Sequence, residues 1–167
     1  MFQPGELIFY GRTGVCRVER IEEIDGQPYY RLSPLYQSCT IRTPVNGKVF
    51  MRPVLTRAEA DALIDQIPSI QAAPVECRAL RELTEHYLTS INTHDAAALL
   101  AMLMSIHAKK QQALSAKKKL GAIDERFMKE GEALLFGELA VALDCAPDEV
   151  PKYIQARVSG EKQCKRN

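Results

Sequence analysis

Val49-Phe50-Met51-Arg52-Pro53-Val54-Leu55-Thr56-Arg57-Ala58-Glu59 is the stretch where the chain changes character. Val49 to Arg52 is of strand type. Thr56 and Glu59 stand at capping-box spacing, each able to satisfy an orphan backbone donor of a first helical turn. Everything before this seam reads as short strands, and everything after it as helices. The fold class is therefore α+β: an N-terminal five-stranded SH3-like or Tudor-like β-barrel, then a C-terminal all-helical bundle.

Working back from the seam, Leu7 to Tyr10 is a first strand opened by Pro4-Gly5, and Gly11 and Gly14 bracket a turn. Val15 to Ile24 is a long second strand with β-branched residues at Val15, Val18 and Ile21. The spacing slips by one between Val18 and Ile21, which predicts a bulge. Asp25-Gly26 is a two-residue hairpin signal, and Tyr29 to Leu32 makes the third strand. Cys39 to Thr43 alternates, with Cys39, Ile41 and Thr43 on one face and Thr40 and Arg42 on the other. Pro44 ends this strand or marks an edge. Asn46-Gly47 predicts a second hairpin turn into Val49 to Arg52.

Working forward, a short helix runs from the Thr56 cap to Ile67, and Pro68 and Pro74 bracket a linker. Leu80, Leu83, Tyr87 and Ile91 repeat on one helical face, so Leu80 is expected to be packed. Asp95 caps the next helix, which runs to about Leu114 on a stripe of Leu99, Leu103 and Ile106. A third long helix covers residues 123–143, and Pro147 opens a last one. Glu138 lies close to the apolar row of its helix, where a charge needs a partner; an arginine or a cap on a neighbouring helix is expected to supply it. The domain reading is residues 1–67 as barrel with trailing helix, 68–74 as linker, 75–158 as helical domain and 159–167 as disordered tail.

With 167 residues, 46% hydrophobic and 26% charged, the composition is that of a globular protein. A net charge of +1 excludes strong whole-molecule attraction to nucleic acid. The charge is uneven, however: five lysines (Lys109, Lys110, Lys117, Lys118 and Lys119) and no acid lie between Asp95 and Asp124. The five cysteines show no paired metal spacing, and Cys16 and Cys39 are expected to be small buried groups in strands. With no leader pattern and no apolar run near about 18 residues, the chain reads as cytosolic with reduced thiols. There is no phosphate loop, nucleophile elbow or metal motif. His86, His94 and His107 are isolated, and Glu22-Glu23 and Glu130/Glu132 are ordinary charged faces. No enzyme, cofactor, metal site, membrane contact or small-molecule substrate is expected.

Three pieces of the barrel half resemble the CarD/CdnL family of bacterial transcription regulators. Phe2-Gln3-Pro4-Gly5-Glu6-Leu7-Ile8-Phe9-Tyr10 resembles its F-x-x-G-D-x-V-V-Y-P start. Gly14 to Glu22 resembles H-G-V-G-x-V-x-x-I-E, and Cys39 to Pro44 resembles L-x-V-R-V-P. In the helical half, Ser90 to Ile106 and Lys118 to Val150 resemble further family segments, with Glu138-Leu139-Ala140 matching best. The chain departs from the pattern at Tyr10-Gly11-Arg12-Thr13, where the family has Tyr-Pro and a His before the Gly.

The resemblance implies a barrel that binds the RNA polymerase β subunit by adding a strand to an exposed sheet edge and through an arginine. That arginine maps onto Arg42, within Thr40, Ile41, Thr43 and Pro44. It also implies a helical domain on promoter DNA at the upstream edge of the melted region, with basic residues on the phosphates and a tryptophan in the minor groove. This chain has no tryptophan. The region that would hold it, Cys77 to Arg81, offers Arg78 and Arg81 as phosphate contacts, alongside Lys109, Lys110 and Lys117 to Lys119. The alternative is a protein-interaction adaptor that docks without touching DNA, and the missing tryptophan favours it.

Overall fold

The computed structural model describes residues 1–164, with side chains as far as residue 160. Five strands come first: β1 (Leu7–Tyr10), β2 (Gly14–Ile24), β3 (Gln27–Pro34), β4 (Ile41–Pro44) and β5 (Met51–Pro53). Five helices follow: α1 (Arg57–Asp65), α2 (Leu80–Asn92), α3 (Ala96–Ser115), α4 (Ala122–Leu143) and α5 (Val150–Cys164). The α+β reading holds. The sheet is antiparallel in the order β4-β3-β2-β1-β5.

Asp25-Gly26 makes the expected hairpin turn, with φ of 50° and 76° at its two central residues, the left-handed pair such a turn requires. The expected bulge is present as well: the β2–β3 register shifts between Val18 and Arg20. Its effect is positional. Cys16 and Val18 point into the core of the sheet, and without an extra residue Arg20 would do the same. The bulge turns Arg20 and Glu22 to the outer face and returns Ile21, opposite Tyr30, to the inner one.

Two expectations about the strands are corrected. Asn46-Gly47 is not a hairpin turn: β5 pairs with β1, Tyr10 opposite Met51 and Ile8 opposite Pro53. Among the described residues no ladder joins β4 to β5, so the hydrogen-bonded sheet is open between these two edges. Cys39 lies before β4 and is exposed, not buried in a strand. Cys16 is buried as expected.

The sheet packs on both faces. Ile8, Cys16, Val18, Tyr30 and Leu32 form a core of its own on the inner face. On the outer face Phe9 and Val15 belong to the helical core, with Leu134, Leu135 and Phe127 of α4. Burying such side chains contributes about 1.5–3 kcal/mol each, so the helices carry part of the sheet's stability. Polar links reinforce the joint. Arg12 Nε donates to Glu130 at 2.9 Å, so the turn that departs from the family pattern holds α4. The Tyr36 hydroxyl donates to the Gly137 carbonyl at 2.8 Å.

The Thr56–Glu59 capping box forms. α1 packs on α4 and α5, where Tyr153 donates to Asp61 and Arg157 to Asp65. Asp95 caps α3 through the Ala97 N–H. α5 continues to Cys164, past residue 159 where a disordered tail is expected; residues 165–167 lie outside the described residues. No helix among the described residues is long and apolar enough to cross a membrane.

Candidate functional site

The outer face of the sheet is divided. α4 covers it over β1 and the start of β2, and the rest carries arginines. Arg20 pairs with Arg31 and Arg31 with Arg42, so three guanidinium side chains stand side by side across β2, β3 and β4. Like charges directly opposite one another are destabilising. One carboxylate answers them. Glu22 accepts from Arg20 Nε at 2.7 Å and from Arg42 Nε at 3.1 Å, and Arg31 lies 3.7 Å away. The Arg20 hydrogen bond is the main influence holding the Glu22 carboxyl below its ordinary range, and Arg42 adds to it. Exposed Glu19 borders the same depression as Arg20 and Arg31, so two carboxylates face three arginines and a surplus of one positive charge is left on an exposed face.

This row ends at an open edge. Among the described residues β4 pairs only with β3. The Val45 N–H donates to the Pro28 carbonyl at 3.0 Å, so by the alternation of an antiparallel ladder Thr43 and Ile41 also turn their backbone groups to β3. The N–H and C=O of Arg42 then face outward. Pro44 has no N–H to offer, and its carbonyl already accepts from Gly47 N at 3.0 Å. Arg42 thus presents both a free backbone pair and a charged side chain at one edge. Thr43 is buried, Ile41 is half-buried against the inner core, and exposed Thr40 flanks Arg20, Arg31 and Ser33 around a shallow polar depression of about 460 Å³.

Arg20, Arg31 and Glu22 were not among the expected site residues, yet the sequence held the signal. A two-residue turn at Asp25-Gly26 pairs Ile24 with Gln27 and, counting outward, Arg20 with Arg31.

The basic candidates of the helical half divide into two groups. Lys109 is structural. Its ammonium lies 3.1 Å from buried Asp124, which also accepts from Tyr87 at 2.6 Å, and it donates to the Val75 carbonyl at 3.2 Å. Burial, reinforced by the hydrogen bond to Asp124, pushes the Tyr87 hydroxyl pKa upward. The lysine holds residues 73–75 along α3, helped by Ser105, which donates to the Ala73 carbonyl at 2.7 Å. The start of α2 therefore lies beside the end of α3.

That arrangement gathers exposed Arg78, Arg81, Lys117, Lys118 and Lys119 at one end of the helical half, with Lys110 half-buried behind them. Arg81 is 89% exposed and makes only an i,i+4 pair with Glu85. Leu80 is 71% exposed, against the expectation that it is packed. It is the first residue of α2, where a side chain leaning toward the helix N-terminus has no turn beneath it to cover.

Glu138 finds its arginine on a strand and not on a helix. Both oxygens face Arg52 of β5, with Nη2 at 2.8 Å from Oε1, and Leu55 N donates to Oε2 at 3.1 Å. The same guanidinium lies over the Phe9 ring and donates through Nε to the His94 carbonyl. His94 stacks on Phe50 at 4.7 Å between ring centres, and its Nδ1 is the sole buried side-chain polar atom without a partner among the described residues. Among those residues no group of His, Cys, Asp and Glu could hold a metal ion.

Residues 2–55 match the model of a known domain family described as CarD-like/TRCF RID domain. The match covers the whole sheet and ends one residue before the Thr56 cap. No curated protein matches the chain.

Proposed function

We propose, from the match of residues 2–55 to the CarD-like/TRCF RID domain model, that the chain is a transcription regulator docking on the β subunit of RNA polymerase through the open edge of β4. The carrying observation is the coincidence at Arg42 of an outward backbone pair with the end of the arginine row. An added strand gains main-chain hydrogen bonds, and an arginine fork gains bidentate contact with a carboxylate. We assign the chain no catalytic step.

The helical end then lies over promoter DNA at the upstream edge of the open complex. Arg78, Arg81 and Lys117 to Lys119 contact phosphates, and exposed Leu80 stands among them as the available apolar group. Docking on polymerase makes such a contact effective through high local concentration, as a near-neutral chain requires. Lys109 takes no part. The adaptor reading, docking without DNA, draws on the absent tryptophan and on the engagement of Lys109 in the core.

Binding to the isolated polymerase β lobe, native against Arg42→Ala, tests the docking. A loss of at least tenfold is expected, and no binding by the native chain would overturn the proposal. Binding of promoter DNA in complex with polymerase should fall steeply with salt if phosphates are touched; a flat dependence favours the adaptor.

A further inference from the structure

The inner side of the β4 edge holds an unfilled cleft. Met1, Phe2, Tyr30, Val45, Val49 and Met51, with Asn46 as the polar member, line an open depression of about 320 Å³. Met1 is 77% and Val49 42% exposed, and they share the depression with Phe2, Val45 and Met51, which pack against the inner core. The cleft adjoins the inward row of β4, since Ile41 and Val45 pack against that core. The opposite face of the same strand carries Arg42, at the end of a row of three arginines faced by only two glutamates, Glu22 in ion pairs and Glu19 beside them.

A strand added to β4 would run about 4.7–4.9 Å beyond it, with side chains pointing alternately to the two faces. Positions sharing the outer face with Arg42 meet positive charge, and the positions between them meet the cleft. We infer that the segment captured by β4 is a strand of alternating acidic and apolar residues, its acids on the arginine row and its apolar side chains in the Phe2–Val45–Val49–Met51 cleft. The inference rests on the reading of β4 as the docking edge and adds the chemistry of what docks there. A second copy of this chain is the wrong occupant, because antiparallel pairing of two β4 edges through Arg42 sets arginine against arginine.

The test uses the full chain and two β-hairpin peptides of identical composition. The exposed strand of one alternates Glu with Val or Ile. In the other the same residues are grouped as an acidic block and an apolar block. Fluorescence anisotropy should show the alternating hairpin binding at least tenfold more tightly. Arg42→Glu and Val49→Asp should each remove that preference, and a hairpin alternating Lys with Val should regain affinity for the Arg42→Glu variant. Val49 is a surface residue, and circular dichroism confirms that the variants are folded. Equal binding of the two hairpins, or no binding of either, overturns the inference.

The same variants on the polymerase β lobe separate the two ideas. Lobe binding lost with Arg42→Glu but indifferent to Val49→Asp keeps the docking and rejects the alternating strand. Discrimination between hairpins with no lobe binding rejects the polymerase and keeps the strand.

Discussion

Glu138 shows how far a single residue is legible. Its place by an apolar row announces a buried charge needing a partner, but nothing local says that the partner is Arg52, a long-range contact made by β5. Fully buried and doubly bonded to a guanidinium, it is costly to neutralise. Glu138→Gln should destabilise the fold by about 3 kcal/mol, since removing one member of a buried pair strands the other. Calorimetry would read this as a lower Tm, while affinity for the polymerase lobe stays unchanged; unchanged Tm with lost affinity would reverse the assignment.

The two sheet cysteines make a second contrast at this scale. Burial pushes the Cys16 thiol up to about 12, whereas Cys39 is exposed. At pH 8 iodoacetamide should label Cys39 and spare Cys16 until the protein unfolds, as mapped by mass spectrometry. Equal native labelling would contradict the packing of the inner core. Exposure of Cys39 was not legible because alternation over Cys39 to Thr43 gives a face but not the point at which pairing begins.

At the scale of elements, the strands with local partners were legible and the one with a distant partner was not. The Asp25-Gly26 turn and the slip after Val18 fix β2 against β3 from sequence alone. β5 follows an Asn-Gly that looks like a hairpin turn, but its true partner is β1, some forty residues back. The ion pair of Lys109 is hidden for the same reason: its partner Asp124 lies across a helical hairpin. Lys109→Ala should therefore lower Tm and leave the salt dependence of promoter binding unaltered, whereas Lys118→Ala should leave Tm and flatten that dependence. The opposite pattern would return Lys109 to the DNA-facing set.

The charge of the arginine row also belongs to this scale. The Glu22 carboxyl titrates below its unfolded value. Its favourable interaction is present above the unfolded pKa and is lost as pH falls through the lowered folded one, leaving the three arginines without their ion-pair partner. Arg20→Gln should raise the Glu22 midpoint seen by NMR titration; an unmoved midpoint would mean that the carboxylate does not answer the row.

Over the whole molecule, the change of character at the seam tells where strands end and helices begin, but not that the two halves share a core. Phe9 and Val15 sit among helix residues, and Arg12, Tyr36 and Arg52 cross the joint. Gly137 makes one crossing possible: a Cβ there would lie 2.8 Å from the Tyr36 ring. Gly137→Ala should cost about 1–3 kcal/mol by overpacking, with one cooperative unfolding transition retained. Two separate transitions in calorimetry would show that the halves fold independently. Under the proposed docking, the joint would fix the basic helical end relative to β4, so that a polymerase bound at that edge would carry the end to a set place.

The most direct measurement is amide hydrogen exchange at Arg42, read by NMR with and without the polymerase β lobe. In the free chain the Arg42 N–H should exchange quickly while those of Ile41 and Thr43, bonded to β3, are protected. Adding the lobe should slow Arg42 at least tenfold. An Arg42 amide that stays fast in a saturated complex would contradict docking by strand addition at this edge.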